Sequence, residues 1–490
     1  MTSPRRTARA RTRDRVTVAL VAAALTPLAL TLAAPAAHAA TAAKPYDFNG
    51  DGRVDLAIGA PGATVGGKAK AGAVSVVYGS SGGLKTSTRT LLTQNAAGVP
   101  GAAETDDAFG SAVASADLDT DGYADLLIGA PGEDVGGDTN DGTVVVIWGS
   151  ASGLSGARTL PNFNSLDSDR YGQALAAGDF DGDGDTDAAA GGTGTFDLSA
   201  VSGPITKSGT LSEGWGASLA SSAQHPFSSS YGIEHLTAGP VAADGHVRLI
   251  VHGRQSGTDD AVTALADGDI NFDAYWLEYL PYGYTSAVGD IDGDGYLDIA
   301  VGNHRETSAD PSGALGGKVT VVHGGPDGPD SARTPLVLTQ DTAGVPGASE
   351  TGDNFGSEVS LGDVNGDGYA DLAVGASGEN SGAGAVTVLY GSASGLRTTG
   401  VQTFTQNTAG VPGTSEPNDR FGARVLLADH SGDPRAELTV SATGENGDGA
   451  IWSLRGATTG VTTGGAISFG PATTGVSTAG GPGYGSALNS

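Results

Sequence analysis

A nine-residue pattern, D-x-[DN]-x-D-G-x-x-D, occurs five times in this chain, starting at Asp47, Asp117, Asp179, Asp290 and Asp363. Each copy runs into a short stretch of small and apolar residues. Two weaker copies complete a series. Asp429-His-Ser431-Gly-Asp433-Pro-Arg435-Ala-Glu437 lacks the sixth-position glycine, and the copy from Pro240 to Arg248 keeps one carboxylate, Asp244. An aromatic–glycine pair stands eight residues ahead of most starts, as Phe109-Gly110, Tyr171-Gly172, Tyr282-Gly283, Phe355-Gly356 and Phe421-Gly422. Tyr231-Gly232 stands one residue further from its loop. Asp47 has no such partner, but Tyr484-Gly485-Ser-Ala-Leu488 at the other end of the chain matches the missing piece. Units of 50 to 73 residues that recur this way cannot each bury an apolar face alone and must stack on one another.

Within a period the apolar residues read as short strands. In the first these are Val54–Ala60, Ala73–Tyr78 and Thr88–Thr93, and Val144–Trp148 and Val386–Tyr390 repeat the second of them. β-branched runs bounded by Gly and Asn are strand signals, and nothing here is long enough for a helix. With the aromatic–glycine strand, each period has four strands. Seven such units predict an all-β, seven-bladed β-propeller rather than an open solenoid. The split repeat decides between them: a ring must seal its first blade against its last to protect sheet edges. Tyr484–Leu488 is therefore expected to add a strand to the blade built from Val54 onward.

Phe109-Gly110 with Gly129-Ala130-Pro131, and Gly59-Ala60-Pro61 in the first period, resemble the FG-GAP repeat. That repeat builds the seven-bladed propeller at the N-terminus of integrin α-subunits and also occurs in secreted bacterial proteins. Later copies drift, to Gly375-Ala376-Ser377 and Gly302-Asn303-His304. The resemblance covers the chain from about residue 45 to 490. It implies the fold directly and the function only loosely.

The loops are cation sites by their chemistry. Positions 1, 3, 5 and 9 offer side-chain oxygens, position 7 a backbone carbonyl, and the glycine at position 6 allows the sharp turn. Many hard oxygens on a flexible loop suit Ca²⁺, whereas Mg²⁺ demands a stricter octahedron. The candidate ligands are Asp47, Asn49, Asp51, Arg53 and Asp55; Asp117, Asp119, Asp121, Tyr123 and Asp125; Asp179, Asp181, Asp183, Asp185 and Asp187; Asp290, Asp292, Asp294, Tyr296 and Asp298; and Asp363, Asn365, Asp367, Tyr369 and Asp371. Arg53, Tyr123, Asp185, Tyr296 and Tyr369 are the position-7 residues, counted for their carbonyls. An EF-hand would need a bidentate Glu at position 12 and a following helix. Position 12 is Ile58, Ile128, Ala190, Val301 or Val374, so these are hairpin-type loops and about five Ca²⁺ are expected. Clustered carboxylates repel one another without a cation, so the ions read as structural.

Residues 1–39 read as a secretory signal peptide: arginines, an apolar run from Val16 to Ala34, then Ala37-His38-Ala39. Arg5-Arg6 leaves a twin-arginine signal open. The propeller is assigned to residues 40–490 and is expected outside the cell, with no membrane span of its own. Cysteine is absent, which excludes disulfides, thiolate metal sites and a cysteine nucleophile. The net charge of −30 excludes a phosphate-binding surface of the nucleic-acid type. Without residues 1–39 there remain 19 basic and 54 acidic side chains, or −35.

Other motifs carry less. Gly79-Ser80-Ser81-Gly82-Gly83 fits a nucleophile elbow, but Ala151 and Ala393 stand at the nucleophile position in its equivalents, so it reads as a turn. The histidines are isolated, and His304, just past a strand end, reads as exposed. Three near-identical connections, Gln94–Phe109, Gln340–Phe355 and Gln406–Phe421, are either duplicated structural links or a repeated surface for a repeating polymer. Trp215, Tyr275, Trp276, Tyr279 and Tyr282 belong to the core or to a sugar platform. The chain reads as a monomeric recognition or adhesion module for extracellular protein or polysaccharide. The rival is a polysaccharide lyase or hydrolase with structural calcium, for which no acid–base or nucleophile set stands out.

Overall fold

The computed structural model describes residues 43–489 apart from 164–167, 195–196, 212, 220–226 and 268–275. The signal-peptide reading of 1–39 lies outside them. The described residues form seven four-stranded antiparallel sheets, which are the blades of a propeller ring. Blade 2 shows the plan: Val113–Ala116, Asp125–Ala130, Thr143–Ile147 and Ala157–Leu160, each paired with the next. Blades 3 to 7 begin at Ser168, Ile233, Thr285, Phe355 and Phe421. Blade 1 takes its second to fourth strands from Leu56–Ala60, Ala73–Val77 and Arg89–Leu92. Its first strand is Ala487–Leu488, with Leu488 opposite Ile58 and Ala487 opposite Gly59. The ring is closed by the piece that the N-terminal end of the repeat lacks.

The apolar runs are continuous rather than alternating because blades stack face to face. Every residue of Leu56–Ala60, Asp125–Ala130, Asp298–Asn303 and Asp371–Ala376 is buried. The core is a circle of seven clusters, each between neighbouring blades. The closing cluster joins Leu56, Ile58 and Val77 of blade 1 to Ile451 and Phe469 of blade 7, with Tyr484 and Leu488 between them. Rings of the aromatic–glycine pairs lie in these seams: Phe109, Phe355, Phe421 and Tyr484 are fully buried. Burying one such ring stabilises the fold by about 1.5–3 kcal/mol.

The two glycine motifs are one contact seen from its two sides. A Cβ on Gly59 would fall 2.2 Å from the carbonyl oxygen of Gly110 in the next blade, and one on Gly129 would fall 1.9 Å from that of Gly172. The glycine near the end of the second strand in these blades thus lets the aromatic–glycine turn of the following blade approach its backbone. The first strands of all seven blades line a central cavity of about 350 Å³. Among the described residues no helix is long and apolar enough to cross a membrane.

Candidate metal centres

Four of the full acidic loops join a first strand to a second, and the Asp47 loop leads into the second strand of blade 1, so all lie at one edge of the ring. Their backbones are folded by their own carboxylates. The position-1 aspartate accepts N–H groups from across the turn: Asp47 takes those of Asp51 and Gly52 at 3.0 and 2.8 Å, and Asp117 those of Asp121 and Gly122 at 3.1 and 3.0 Å. Asp179, Asp290 and Asp363 do the same with Gly182 and Gly184, Gly293 and Gly295, and Gly366 and Gly368. Position 5 accepts from position 7, as in Arg53 to Asp51, Tyr123 to Asp121, Asp185 to Asp183, Tyr296 to Asp294 and Tyr369 to Asp367. Position 3 accepts from position 5 in four loops, through Asn49, Asp181, Asp292 and Asn365. In the second loop Asp119 departs: its Oδ1 is buried without a hydrogen-bond partner.

Position 9 ties the loop to its blade. Asp55, Asp125, Asp187 and Asp371 have no exposed surface, and Asp298 is 1% exposed. Each accepts one N–H from position 2 of its loop and a second from a glycine after the third strand. For Asp125 these are Leu118 at 3.0 Å and Gly149 at 2.8 Å. The other four pairs are Phe48 and Gly79, Phe180 and Gly203, Ile291 and Gly324, and Val364 and Gly391. The second strand of blade 1 begins at Leu56, after this aspartate, and not at Val54. Burial pushes the carboxyls of Asp55, Asp125 and Asp371 up to about 7 and that of Asp187 to about 6, against the pull of those N–H groups. Asp298 is raised by burial too. A buried carboxylate with such a preference for its proton is stabilised in its charged form by an adjacent cation.

The loops are also chained to one another. The N–H of Ala124 donates to the Asp47 carbonyl, that of Val247 to Asp179, that of Ala370 to Asp290 and that of Ala436 to Asp363. Val54 donates to Asp429, which carries the chain across the closure. Position-7 side chains cover the preceding loop: a Cβ on Gly50 would lie 2.8 Å from the Tyr123 ring, and one on Gly293 would lie 2.7 Å from the Tyr369 ring.

Ligand atoms of Asp117, Asp119 and Asp125 lie within 4.8 Å of one another, as do those of Asp179, Asp181 and Asp187, and those of Asp290, Asp292 and Asp294. Among the described residues no such triple of carboxylates forms at the loops of Asp47 and Asp363, where position 3 is Asn49 or Asn365. The loops' own donors are hard oxygens, and the orphaned Asp119 oxygen points the same way, so the residues fit a divalent cation. Basic side chains also reach the loops. Lys207 stands 2.9 Å from Asp119 and 2.5 Å from Asp121, and Arg333 stands 2.8 Å from Asp292. In blade 4 the substitution is complete. Arg248, in place of the ninth-position aspartate, forks onto both oxygens of Asp244 at 3.0 and 2.7 Å, so a guanidinium supplies the positive charge.

Histidines were the least legible residues. His304 is not on the open surface as expected: its ring packs 4.9 Å from that of Tyr284 and its Nδ1 is buried without a partner. His252 and His430 are fully buried, and His323 faces Asp298 at 3.3 Å. The Gly79–Gly83 motif is a turn, with Ser80 Oγ donating to the Gly83 carbonyl, and Ser150 and Ser392 repeat the bond. The three long connections are each bonded to the blade that follows. Gln94, Gln340 and Gln406 are buried and donate to Glu133, Glu379 and Glu445 of the next blade at 2.5, 2.6 and 2.6 Å. Trp215 lies in the core between blades 3 and 4, while Tyr279 is 42% exposed. Tyr275 and the side chain of Trp276 lie outside the described residues.

The FG-GAP repeat family matches this chain at residues 40–77, 109–147, 282–322 and 355–389. The phosphatidylinositol-glycan-specific phospholipase D of Rattus norvegicus is 38% identical over 155 residues, which is 31% of this chain and 18% of that protein. The Bos taurus protein of the same name is 37% identical over 141 residues, 28% of this chain and 16% of its own length. Integrin alpha-IIb of Mus musculus is 38% identical over 119 residues, 24% of this chain and 11% of its own length. The chain spans less than a fifth of the length of these relatives.

Proposed function

We propose that this chain, a seven-bladed propeller with FG-GAP repeats similar to those of integrin α-subunits, is secreted, binds about five Ca²⁺ in its acidic loops, and serves as a recognition or adhesion module for extracellular protein or polysaccharide. One observation carries the reading: the two edges of the ring differ in kind. At the loop edge each loop is bonded into its own blade and most are bonded to a neighbouring one, which is the arrangement of a staple. The opposite edge, built from links between second and third strands and between blades, holds a cleft of about 780 Å³. Its lining includes His304, Asn354, Asn380, Asn418, Arg420 and Arg424. With the carboxylates of Glu350 and Asp353 beside them, these amide, imidazole and guanidinium groups on a rigid scaffold suit a hydroxyl-rich ligand. Calcium then stabilises the scaffold and the far edge binds.

The phospholipases share too little of their length to carry an activity to this chain. The test is binding of the calcium-loaded mature protein to arrayed glycans and immobilised extracellular proteins. Saturable binding that weakens in an Arg420→Ser, Asn418→Ala variant supports the reading. Bond cleavage in a bound polymer by a clean preparation establishes the enzyme instead, and absence of saturable binding on every surface sinks the recognition role.

A further inference from the structure

Of the five full loops, the one starting at Asp290 has a different donor set. His323 follows the third strand of blade 5, Lys318–Val322, and its Nδ1 lies 3.3 Å from Asp298 Oδ1. The same oxygen accepts the N–H of Gly324 at 2.9 Å, so two successive residues converge on it. Ligand atoms of Asp292, Asp298 and His323 lie within 4.8 Å of one another. The set is enclosed: the side chains of Asp292, Asp298 and His323 are 7%, 1% and 12% exposed. Despite its distance from Asp298, the imidazole Nδ1 is buried and makes no hydrogen bond. The ring nitrogen and the carboxylate oxygen stand close enough, at 3.3 Å, for both to bind one cation. In the other four loops the residue at this place is Tyr78, Trp148, Ser202 or Tyr390, none of them an imidazole.

We propose that Asp292, Asp298 and His323 form a mixed carboxylate–imidazole site that takes a transition-series divalent cation, of the zinc, cobalt or manganese type, in a chain whose other loops are all-oxygen sites. The inference rests on the loops being cation sites. Its chemistry is ligand type: imidazole suits Zn²⁺ and its neighbours, whereas carboxylate and carbonyl alone suit Ca²⁺. Arg333 tempers it. Its guanidinium lies 2.8 Å from Asp292 and 3.5 Å from Asp294, and its side chain, 36% exposed, has room to leave.

The test uses the full mature chain, stripped with chelator and saturated with Ca²⁺, then titrated with Co²⁺ while its visible absorption is followed. Wild type is expected to take one equivalent of cobalt with a band showing nitrogen ligation, and Zn²⁺ to displace it. His323→Gln is expected to lose that band and to weaken cobalt binding by about tenfold or more. Arg333→Gln, which leaves the three donors in place, is expected to tighten it, and this arm holds if His323→Gln fails to fold. Equal cobalt affinity and spectrum in wild type and His323→Gln, with calcium uptake intact elsewhere, overturns the inference and leaves the loop reading standing. Loss of calcium uptake at every loop overturns the loop reading and this inference with it.

Discussion

Asp125→Asn separates what a ninth-position carboxylate does for the blade from what it does for an ion. Asp125 has no exposed surface, and its two oxygens accept from Leu118 and Gly149. Asparagine keeps the shape but turns one acceptor into a donor that faces an N–H. A buried N–H left without a partner costs about 1–3 kcal/mol. That cost is present with or without metal. In chelator and below pH 7 it shrinks, because burial holds the wild-type carboxyl near 7 and its protonated form also carries a donor. With calcium at a hundredfold its dissociation constant, wild type gains about 2.7 kcal/mol from one site that the variant forfeits. The variant is thus destabilised by about 1–3 kcal/mol in EDTA and by about 4–6 kcal/mol in calcium. The assay is urea unfolding of both proteins in both buffers, read as midpoints. An equal penalty in EDTA and in calcium would show that Asp125 serves only as a hydrogen-bond anchor.

Three further outcomes follow from the same geometry. The folded, metal-free protein holds protons on Asp55, Asp125, Asp187 and Asp371 up to about pH 6 to 7, against an ordinary value of 3.8, so their contribution is full below pH 4 and is lost as pH rises to 7. Melting temperature in EDTA should therefore fall between pH 4 and 7.5, and the gain on adding calcium should widen over that interval; a constant gain contradicts the assignment. Removing residues 484–490 takes away the first strand of blade 1 and the Tyr484 and Leu488 side chains of the closing seam, so the truncated chain should form soluble oligomers through the freed Leu56–Ala60 edge, detected by light scattering. Phe355→Ala empties a fully buried seam position between blades 5 and 6 and should cost about 3–5 kcal/mol in calcium and in EDTA alike.

Blade number and closure were legible because two motifs recur at a fixed separation and the last residues of the chain supply what the first blade lacks. Even blade 4, whose loop keeps only one of its carboxylates, could be placed by Tyr231-Gly232 and by spacing. What spacing cannot show is a contact between blades. Gly59 meets Gly110, and Tyr123 covers Gly50, through backbone geometry that either motif alone leaves undetermined. Gln94 and Glu133, Gln340 and Glu379, and Gln406 and Glu445 pair at one constant separation of 39 residues, a signal present in the sequence that the alternatives of link or ligand surface passed over. His323 belongs to no motif; it reaches Asp298 only because the third strand returns beside the loop. Arg248 was legible as a lost ligand but not as a replacement for the ion, which requires its fork on Asp244.

The central claim is that the acidic loops are metal staples of the ring. It is tested most directly by counting calcium on chelator-stripped mature protein by equilibrium dialysis while its melting temperature is followed. The account predicts uptake of about five Ca²⁺ per chain and a melting temperature that climbs as the loops fill. Fewer than two bound, or full uptake with an unchanged melt, would contradict it.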